Sequence, residues 1–378
     1  MLSTCLPSLF ASPPPPPPAM SSLSSSSVSL LILGAGWTST FLIPHLRTSH
    51  PSLTYAATTR DGRDGTIAWA FDPEGGAEQF EKLPRAETVL VVFPIRGLGG
   101  SKTLVEGYEQ AVGGRVRWIQ LGSTGIWDGG PTLAALRSSS SDPEKLAHAP
   151  PLKWTDRHSP YDKTNTRAMA EDELLSLHEE TYVLNLAGLW GSTRNPANWI
   201  PRIATSFEAL EAKGSLHLIH GEDVSRAVVA VHLSPPRACN LAPEKEKEEM
   251  LVDVGGEGEK TTEREGRKQK GERFLLTDLR VYCWWDLVAA WAPSSPSTSS
   301  SPSSSSQHVP TPSPSIAASP TTEHTPLAAH WVQQLMLKHN VRALPRSPEE
   351  LGRAMDSREF WSRFRLMPAR GRFERDRA

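Results

Sequence analysis

Short apolar runs alternate with amphipathic segments along the first two thirds of the chain. Five runs have the length and apolar character of buried strands: 28–34, 52–60, 87–94, 116–124 and 181–191. Helical spacing follows the first run at 37–49 and precedes the last run at 166–180. Strands that are apolar on both faces are typical of parallel sheets covered by helices, so the pattern predicts an α/β fold with a doubly wound parallel sheet. Because Pro44 removes a backbone donor inside the first helical segment, we expect a kink or a short helix there.

Three segments are too poor in apolar side chains to pack. They are a low-complexity leader at 1–27, a charged and glycine-rich stretch at 243–273, and a Ser/Pro-rich stretch at 293–326. Such segments cannot offset the entropy that is lost on ordering, so all three are expected to be disordered. We therefore expect one folded domain over 28–292, with the charged stretch as an insertion within it. The Ser/Pro-rich stretch is expected as a second insertion, before a helical C-terminal segment at 327–378.

Charge and hydropathy bear on the partners and the location of the chain. The formal net charge of −2 gives no electrostatic reason to expect nucleic acid or an anionic membrane as a partner. No apolar run approaches the roughly 20 residues that span a bilayer. The leader lacks a basic region and does not resemble a secretory signal. The three cysteines lack metal or disulfide spacing and fit a reducing compartment, so we expect no metal and a cytoplasmic location.

A glycine motif follows the first predicted strand. Gly34, Gly36 and Ser39 form the pattern G-x-G-x-x-S, with Trp37 and Thr38 before the serine. Glycines at this place let the backbone turn sharply and approach a pyrophosphate, while the start of the helix supplies free amides. The motif therefore predicts a dinucleotide site formed by these five residues. The alternative is a glycine turn beside a cleft that binds nothing.

The residues at the ends of the next two strands indicate which dinucleotide is bound. The second strand ends with Thr59 and Arg60, where NAD sites usually place an acid. Arginine can form two parallel hydrogen bonds with a 2′-phosphate, which favours NADP over NAD. Asp61 keeps NAD open if the strand ends one residue later. Phe93 and Pro94, at the end of the third strand, are expected beside the same cofactor.

Five segments occur in an order that is known from one protein family. They are GAGWTSTFL (34–42), QLGSTGIWDG (120–129), TRAMAEDELL (166–175), LNLAGLWGSTRNP (184–196) and HLIHGEDVSRAVVAVH (217–232). Together they resemble the extended short-chain dehydrogenase/reductases, in particular the atypical branch described as NAD-dependent epimerase/dehydratase-like. The resemblance implies a Rossmann-type NAD(P)-binding domain with a small C-terminal substrate portion, and a small-molecule substrate. An oligomer is compatible with it but is not indicated.

The chain departs from this family at the residues that carry its proton chemistry. The family uses a tyrosine and, four residues later, a lysine. Alignment on Ala170 and Glu171 places the lysine position at Arg167 and the tyrosine position at Lys163. The Tyr-x-x-x-Lys pair is absent in every register of this stretch. Arginine is permanently charged, so Arg167 can hold a ribose or a phosphate but cannot donate a proton.

Other side chains are then the candidates for catalysis. The hydroxyls of Ser123 and Thr124 are placed to hydrogen-bond a substrate carbonyl, which would stabilise the transition state. Tyr161 is the best substitute acid, followed by His158 and Lys163. The alternative for Ser123 is a hydroxyl at the end of a strand that caps the local backbone. The alternative for Tyr161, His158 and Lys163 is that they are ordinary loop residues.

Two further segments have expected roles. Arg194, Asn195 and Trp199 lie in the loop where the family forms part of its substrate pocket. Asp223 is expected to cap the free amides of a helix that carries Arg226.

The sequence leaves three functions open. The first is an NADP(H)-dependent oxidoreductase that acts on a small carbonyl or alcohol. The second is a redox-inert NAD(P)-binding sensor or scaffold, which the missing Tyr-x-x-x-Lys pair motivates. The third is an epimerase or dehydratase, which would need a proton acceptor in place of the absent tyrosine. We favour the first, although the sequence does not decide whether the protein is an enzyme.

Overall fold

The computed structural model describes residues 27–128, 154–236, 271–291 and 325–371. The expected leader, apart from residue 27, and most of the two expected insertions lie outside these ranges. Two expected boundaries need correction. Glu272 and Arg273 belong to a strand, because they continue the apolar run that follows them and Arg273 is held by buried partners. Thr325 begins a helix.

The strands, in chain order, are β1 (Val28–Leu33), β2 (Tyr55–Thr59), β3 (Ile67–Ala68), β4 (Ala86–Val91), β5 (Arg117–Ser123), β6 (Thr181–Leu186), β7 (Gly188–Trp190), β8 (Ser215–Leu216), β9 (Leu218–His220), β10 (Glu272–Leu276) and β11 (Tyr282–Cys283). Seven of them form a parallel sheet with the order β3-β2-β1-β4-β5-β6-β10. The first six positions follow the strand order of the Rossmann fold. The short strands pair separately, β7 with β9 and β8 with β11. The observed sheet confirms the predicted doubly wound α/β class.

The helices, in chain order, are α1 (Ser39–Ser49), α2 (Gly100–Val112), α3 (Thr166–Leu177), α4 (Ile200–Ile203), α5 (Phe207–Glu211), α6 (Gly221–His232), α7 (Trp284–Trp291), α8 (Thr325–Lys338), α9 (Pro348–Leu351) and α10 (Arg358–Arg363). Within the described ranges, no helix is both long enough and apolar enough to cross a membrane.

Helices cover both faces of the sheet, which explains why its strands are apolar on both sides. Side chains alternate between the two faces of a strand. Leu30 and Ile32 of β1 therefore pack with α1, α6 and α10, while Leu31 and Leu33 pack with α2 and α3. All four leucine and isoleucine side chains are fully buried. A third apolar cluster joins α4, α5, α7 and α8 beyond the sheet.

The five predicted strands are present, with one change. The run at 181–191 divides at Ala187 into β6 and β7, which pair with different partners. Helix α1 contains Pro44 and continues past it to Ser49, over 11 residues. Helix α2 has no counterpart in the predictions. Its glycine-rich start hides the pattern of buried residues Leu104, Val105 and Tyr108.

The cap of α6 differs from the expectation. His220 caps the helix, since its Nδ1 accepts from the amide of Glu222 at 3.2 Å. Asp223 is fully buried and instead accepts hydrogen bonds from the amides of Ala369 and Arg370, at 2.7 and 3.0 Å. Asp223 thus binds the C-terminal segment rather than the start of its own helix. Arg226 supports this contact by donating to the carboxylate at 2.9 Å.

Candidate cofactor and substrate site

The candidate site lies where the strand order reverses. β1 is the central strand from which the chain proceeds first to β2 and β3 on one side and then to β4, β5 and β6 on the other. Crossovers that leave in opposite directions open a crevice at the carboxyl ends of the strands, and ligands of this fold bind there. The glycine motif follows the carboxyl end of β1, at this crevice.

The two glycines of the turn have different roles. Gly34 has a φ of +89°, and a Cβ at this position would lie 3.2 Å from Cδ1 of Phe93. The sharp turn therefore requires glycine at 34. A Cβ at Gly36 would meet nothing nearer than the carbonyl oxygen of Gly34 at 4.0 Å. Gly36 thus leaves open space on the cleft side, as close approach of a pyrophosphate needs.

Helix α1 begins directly after the turn and presents its N-terminus to the cleft. Its first turn contains no acidic residue, so no carboxylate there opposes an anion. Thr38 and Ser39 are buried at this end of the helix. The Ser39 hydroxyl oxygen is buried and has no hydrogen-bond partner among the described residues. These features fit a dinucleotide phosphate at the helix start.

One cavity, of about 740 Å³, extends from the glycine turn toward β2. It contains the predicted cofactor residues Gly34, Gly36, Thr59, Arg60, Phe93 and Pro94 in its lining, together with Arg63 and Arg96, which the sequence reasoning did not assign. Asp61 does not line it and pairs with Arg63 at 3.2 Å.

A second cavity, of about 810 Å³, extends from the same turn toward β6. The two cavities share Gly34, Gly36 and Phe93, so they adjoin at the glycine turn. Of the predicted residues, the second cavity contains Gly34, Gly36, Trp37, Thr38, Phe93, Ser123, Arg167, Arg194, Asn195 and Trp199. It also contains Thr193, Asn198 and Arg202, which were missed although the same segment was noted for its neighbours.

Ser123 and Arg167 come together in the lining of the second cavity. Ser123 ends β5, and its Oγ accepts a hydrogen bond from the amide of Gly125 at 3.1 Å. Arg167 is the second residue of α3, whose first amides are capped by the side chain of Asn165. Burial lowers the pKa of Arg167, the charge of Glu171 opposes this shift, and the charge of Arg96 adds to it.

Tyr161 lies in neither cavity, contrary to its expected place as the catalytic acid. Its hydroxyl donates to the carboxylate of Asp172 on α3 and accepts from Lys163 Nζ at 2.6 Å. Its ring packs edge-on against Trp127, with 5.9 Å between the centroids. Burial raises the pKa of Tyr161. These contacts hold the tyrosine beside α3, away from the cleft lining.

Thr124, predicted to hydrogen-bond a substrate carbonyl, and the alternative acids Lys163 and His158 also lie outside the two cavities. Thr124 is buried at the start of the turn that follows β5. Lys163 pairs with Asp172 at 3.0 Å, and His158 pairs with Glu359 at 3.2 Å. Among the described residues that line the second cavity, the only titratable side chains are therefore the arginines Arg167, Arg194 and Arg202.

A buried polar network holds the backbone of Ser123 in place. Asn185 of β6 donates to the carbonyl of Ser123 at 3.1 Å and to Glu171 at 2.8 Å. Arg273 of β10 pairs with Glu171 and donates to Asn185 at 3.1 Å. Both ends of the Glu171–Arg273 pair are about 5% exposed. Arg273 is the last residue of the charged stretch in the sequence, so its pairing with Glu171 of the TRAMAEDELL segment was not predicted.

No protein-family model matches the sequence, and no curated protein matches it. Solved structures with a similar fold include a provisionally named NAD-dependent epimerase/dehydratase from Methylobacillus flagellatus, with 13% identity, a TM-score of 0.46, and coverage of 89% of this chain and 92% of that chain. UDP-glucose 4-epimerase from Thermus thermophilus, in complex with NAD, has 10% identity, a TM-score of 0.41, and coverage of 90% and 94%. Vestitone reductase from alfalfa has 12% identity, a TM-score of 0.37, and coverage of 69% and 80%.

Proposed function

We propose that the protein binds NADP(H) across the two adjoining cavities. The observation that carries this proposal is the glycine turn at the reversal point of the sheet, where Gly36 leaves open space beside the start of α1. The free amides of the helix start favour an anion at this place. The unpartnered hydroxyl of Ser39 adds a buried polar atom near the same helix end.

The side chains at the end of β2 support NADP over NAD. Arg60 and Arg63 line the 740 Å³ cavity, whereas Asp61 does not. A planar guanidinium can form paired hydrogen bonds with a 2′-phosphate. An acid that holds ribose hydroxyls, as NAD sites usually have, is missing from the described lining.

We further propose an oxidoreductase that acts on a small carbonyl or alcohol. When bound, the nicotinamide supplies or accepts a hydride. Ser123 would donate a hydrogen bond to the carbonyl oxygen, and the amide that Gly125 directs at its Oγ polarises the hydroxyl. Arg167 would stabilise the negative charge that develops on that oxygen. The oxygen of the reduced product also needs a proton. Because an arginine does not give up its proton, water in the open cleft would supply the one that the product needs.

A redox-inert NADP(H) sensor is the second candidate. The observation that favours a sensor is that all titratable side chains in the described lining of the 810 Å³ cavity are arginines. A Tyr, Lys, His or carboxyl group of the usual acid–base kind is not among them. An epimerase or dehydratase is supported less well, since it needs a proton acceptor in this lining. Oxidation of NADPH over a panel of small aldehydes, ketones and oxo acids distinguishes the enzyme from the sensor.

The test of the cofactor proposal is calorimetric titration with NADPH, NADH, NADP and NAD. We expect NADPH to bind more tightly than NADH, and Arg60→Ala to weaken NADPH by about tenfold or more, since a hydrogen bond between charged groups is removed. NADH binding should change little. Arg342→Ala is the matched control, because Arg342 is exposed and lines neither cavity.

Failure of every dinucleotide to bind would overturn the proposed function. Equal binding of NADPH and NADH, unchanged in Arg60→Ala, would remove the preference for NADP while keeping the site.

A further inference from the structure

The 810 Å³ cavity extends well beyond the glycine turn. It reaches from the turn after β1 to residues 186–189, at the end of β6 and the start of β7. β6 lies three strands from β1 in the sheet, which corresponds to about 14 Å at the usual strand spacing. The end of the cavity nearest β6 is the part farthest from the glycine turn, which makes it the candidate place for a second ligand beside the dinucleotide.

The charge of this cavity has one sign. Arg167, Arg194 and Arg202 line it, together with the amides Asn195 and Asn198, and its described lining contains no carboxylate. Within the described ranges, none of the three arginines forms an ion pair with an acidic side chain. Positive charges that are gathered in a cleft attract anions. Glu171, whose charge acts on Arg167 from one turn later in α3, is not part of the described lining.

The arginines divide between the two ends of the cavity. The guanidinium carbon of Arg194 lies 4.4 Å from the centre of the Trp37 ring, next to the glycine turn. The indole nitrogen of Trp37 donates to the carbonyl of Gly191 at 3.1 Å, which brings this loop over the turn. Arg194 therefore belongs to the cofactor end. Arg202 lies in α4, on the segment that closes the β6 end.

That segment is anchored by its neighbours. Trp199 packs against Trp284, with 6.4 Å between the ring centroids. The Trp199 ring also lies close to Gly188, where a Cβ would be 3.2 Å from it. Ile200 is 2% exposed, within the third apolar cluster. Asn198 and Arg202 belong to two consecutive short helices of this segment, and both line the cavity. An amide and a guanidinium on one anchored segment form a ready binding group for an anion.

We propose that the substrate of this site is a small anionic compound, whose carboxylate or phosphate is held by Arg202 together with Asn198. The inference rests on the proposed function and adds the chemical class of its substrate. An oxo acid, a hydroxy acid or a phosphorylated carbonyl compound fits this arrangement, with the anion at Arg202 and the reacting carbon near Ser123.

The test is calorimetric titration of protein saturated with NADPH, using succinate and inorganic phosphate as anionic probes and succinamide as the neutral counterpart of succinate. Saturation with NADPH prevents the probes from entering the cofactor's own phosphate sites. We expect at least one anion to bind and succinamide not to bind. Arg202→Gln should weaken the anion by about tenfold or more, whereas the control Arg342→Gln should leave it unchanged. Tighter binding of succinate would indicate a carboxylate substrate, and tighter binding of phosphate a phosphorylated one.

NADPH affinity of the Arg202→Gln variant separates this inference from the proposed function. The affinity should be unchanged, because Arg202 lies at the β6 end. If NADPH binds but neither anion does, or if an anion binds equally well to Arg202→Gln, the inference is overturned. Weaker NADPH binding in Arg202→Gln would also overturn it, by assigning Arg202 to the cofactor. Failure of NADPH to bind the unchanged protein would overturn the proposed function itself, and the inference with it.

Discussion

At the scale of single residues, the two glycines of the turn show how the space around a position limits which side chain it can carry. Gly34 and Gly36 look equivalent in the motif, yet the backbone gives them different constraints. Gly34 adopts a left-handed conformation against Phe93, while Gly36 faces open space. The first glycine is therefore needed for the turn, and the second leaves the space that the proposed cofactor needs.

Alanine substitutions at the two glycines should separate these roles. Gly34→Ala should lower the free energy of unfolding by about 1–2 kcal/mol, because an L-residue is strained at positive φ. Gly36→Ala should leave stability almost unchanged but weaken NADPH binding by roughly tenfold, about 1.4 kcal/mol. Urea unfolding and calorimetry measure the two effects. Unchanged NADPH affinity in a folded Gly36→Ala protein would show that no phosphate approaches this position.

A second feature at the scale of single residues is the lysine, Lys163, that stands where the family has its tyrosine. Lys163 and the nearby Tyr161 form a local group with Asp172 instead of lining the cleft. Of the residues that the sequence marked for catalysis, Ser123 and Arg167 line the 810 Å³ cavity. Among the described residues that line the 810 Å³ cavity, there is no tyrosine or lysine for the proton transfer of the family that the sequence resembles.

At the scale of elements, a buried ion pair joins the last strand of the sheet to a helix beside the cleft. Arg273 of β10 pairs with Glu171 of α3 and donates to Asp172 at 2.9 Å. Asn185 of β6 connects the pair to the end of β5. The position of Ser123 thus depends on a residue about 150 positions later in the chain.

Removal of one partner of this pair should be costly. Arg273→Met leaves the carboxylate of Glu171 buried without its counter-charge, so we expect a loss of about 3–5 kcal/mol in the free energy of unfolding. The double variant Glu171→Gln/Arg273→Met should recover part of that loss, since no uncompensated charge remains at Glu171. Chemical denaturation of the three proteins measures both effects.

Arg363→Met is the control for this pair. Arg363 is half exposed, and its guanidinium lies 3.6 Å from the carboxylate of Glu272, the neighbour of Arg273 on β10. Its substitution should therefore lower the free energy of unfolding by less than about 1 kcal/mol. An equally small cost for Arg273→Met would mean that the buried pair does not hold β10 in place.

At the scale of the whole molecule, the C-terminal segment is part of the core. Phe360 of α10 packs against Phe274 of β10, with 5.5 Å between the ring centroids. The indole nitrogen of Trp361 donates to the carbonyl of Thr277 at 3.0 Å. Asp223 then holds the amides of Ala369 and Arg370. The last described residues therefore complete one face of the sheet.

The same region makes the stability of the molecule depend on pH. Asp278 is 2% exposed, and burial raises its pKa to about 7 although Tyr282 and Arg280 donate hydrogen bonds to it. Between about pH 4 and pH 7 the folded protein keeps a proton that the unfolded chain has released. The free energy of unfolding should therefore fall as pH rises through this window, by about 1.4 kcal/mol for each unit of pKa difference.

Replacement of Asp278 by asparagine tests this dependence. Asp278→Asn should be less sensitive to pH than the unchanged protein when urea unfolding is compared at pH 5 and pH 8. The exposed control Asp64→Asn should follow the unchanged protein. Identical pH dependence in Asp278→Asn would show that this carboxyl is not the source of the effect.

The sequence by itself determined the sheet class, five of its strands and the place of the glycine turn. Periodicity and local motifs act over a few residues, so they are visible without the fold. It also marked Ser123, Arg167 and the Arg194 segment, which the structure brings to one cavity. It could not locate α2, whose glycine-rich start hides the helical pattern, and it assigned the first residues of β10 to the charged stretch before them.

Only the tertiary structure decided which side chains share the cleft. Tyr161 is six residues from Arg167 in the chain, yet Asp172 holds it on another side of α3. Arg202 and Arg273 gain their roles from strand order and from contacts across long sequence separations. Such contacts depend on how elements pack, and no local pattern records that. The reversal of strand order at β1, which places two cavities beside one glycine turn, likewise exists only in the assembled sheet.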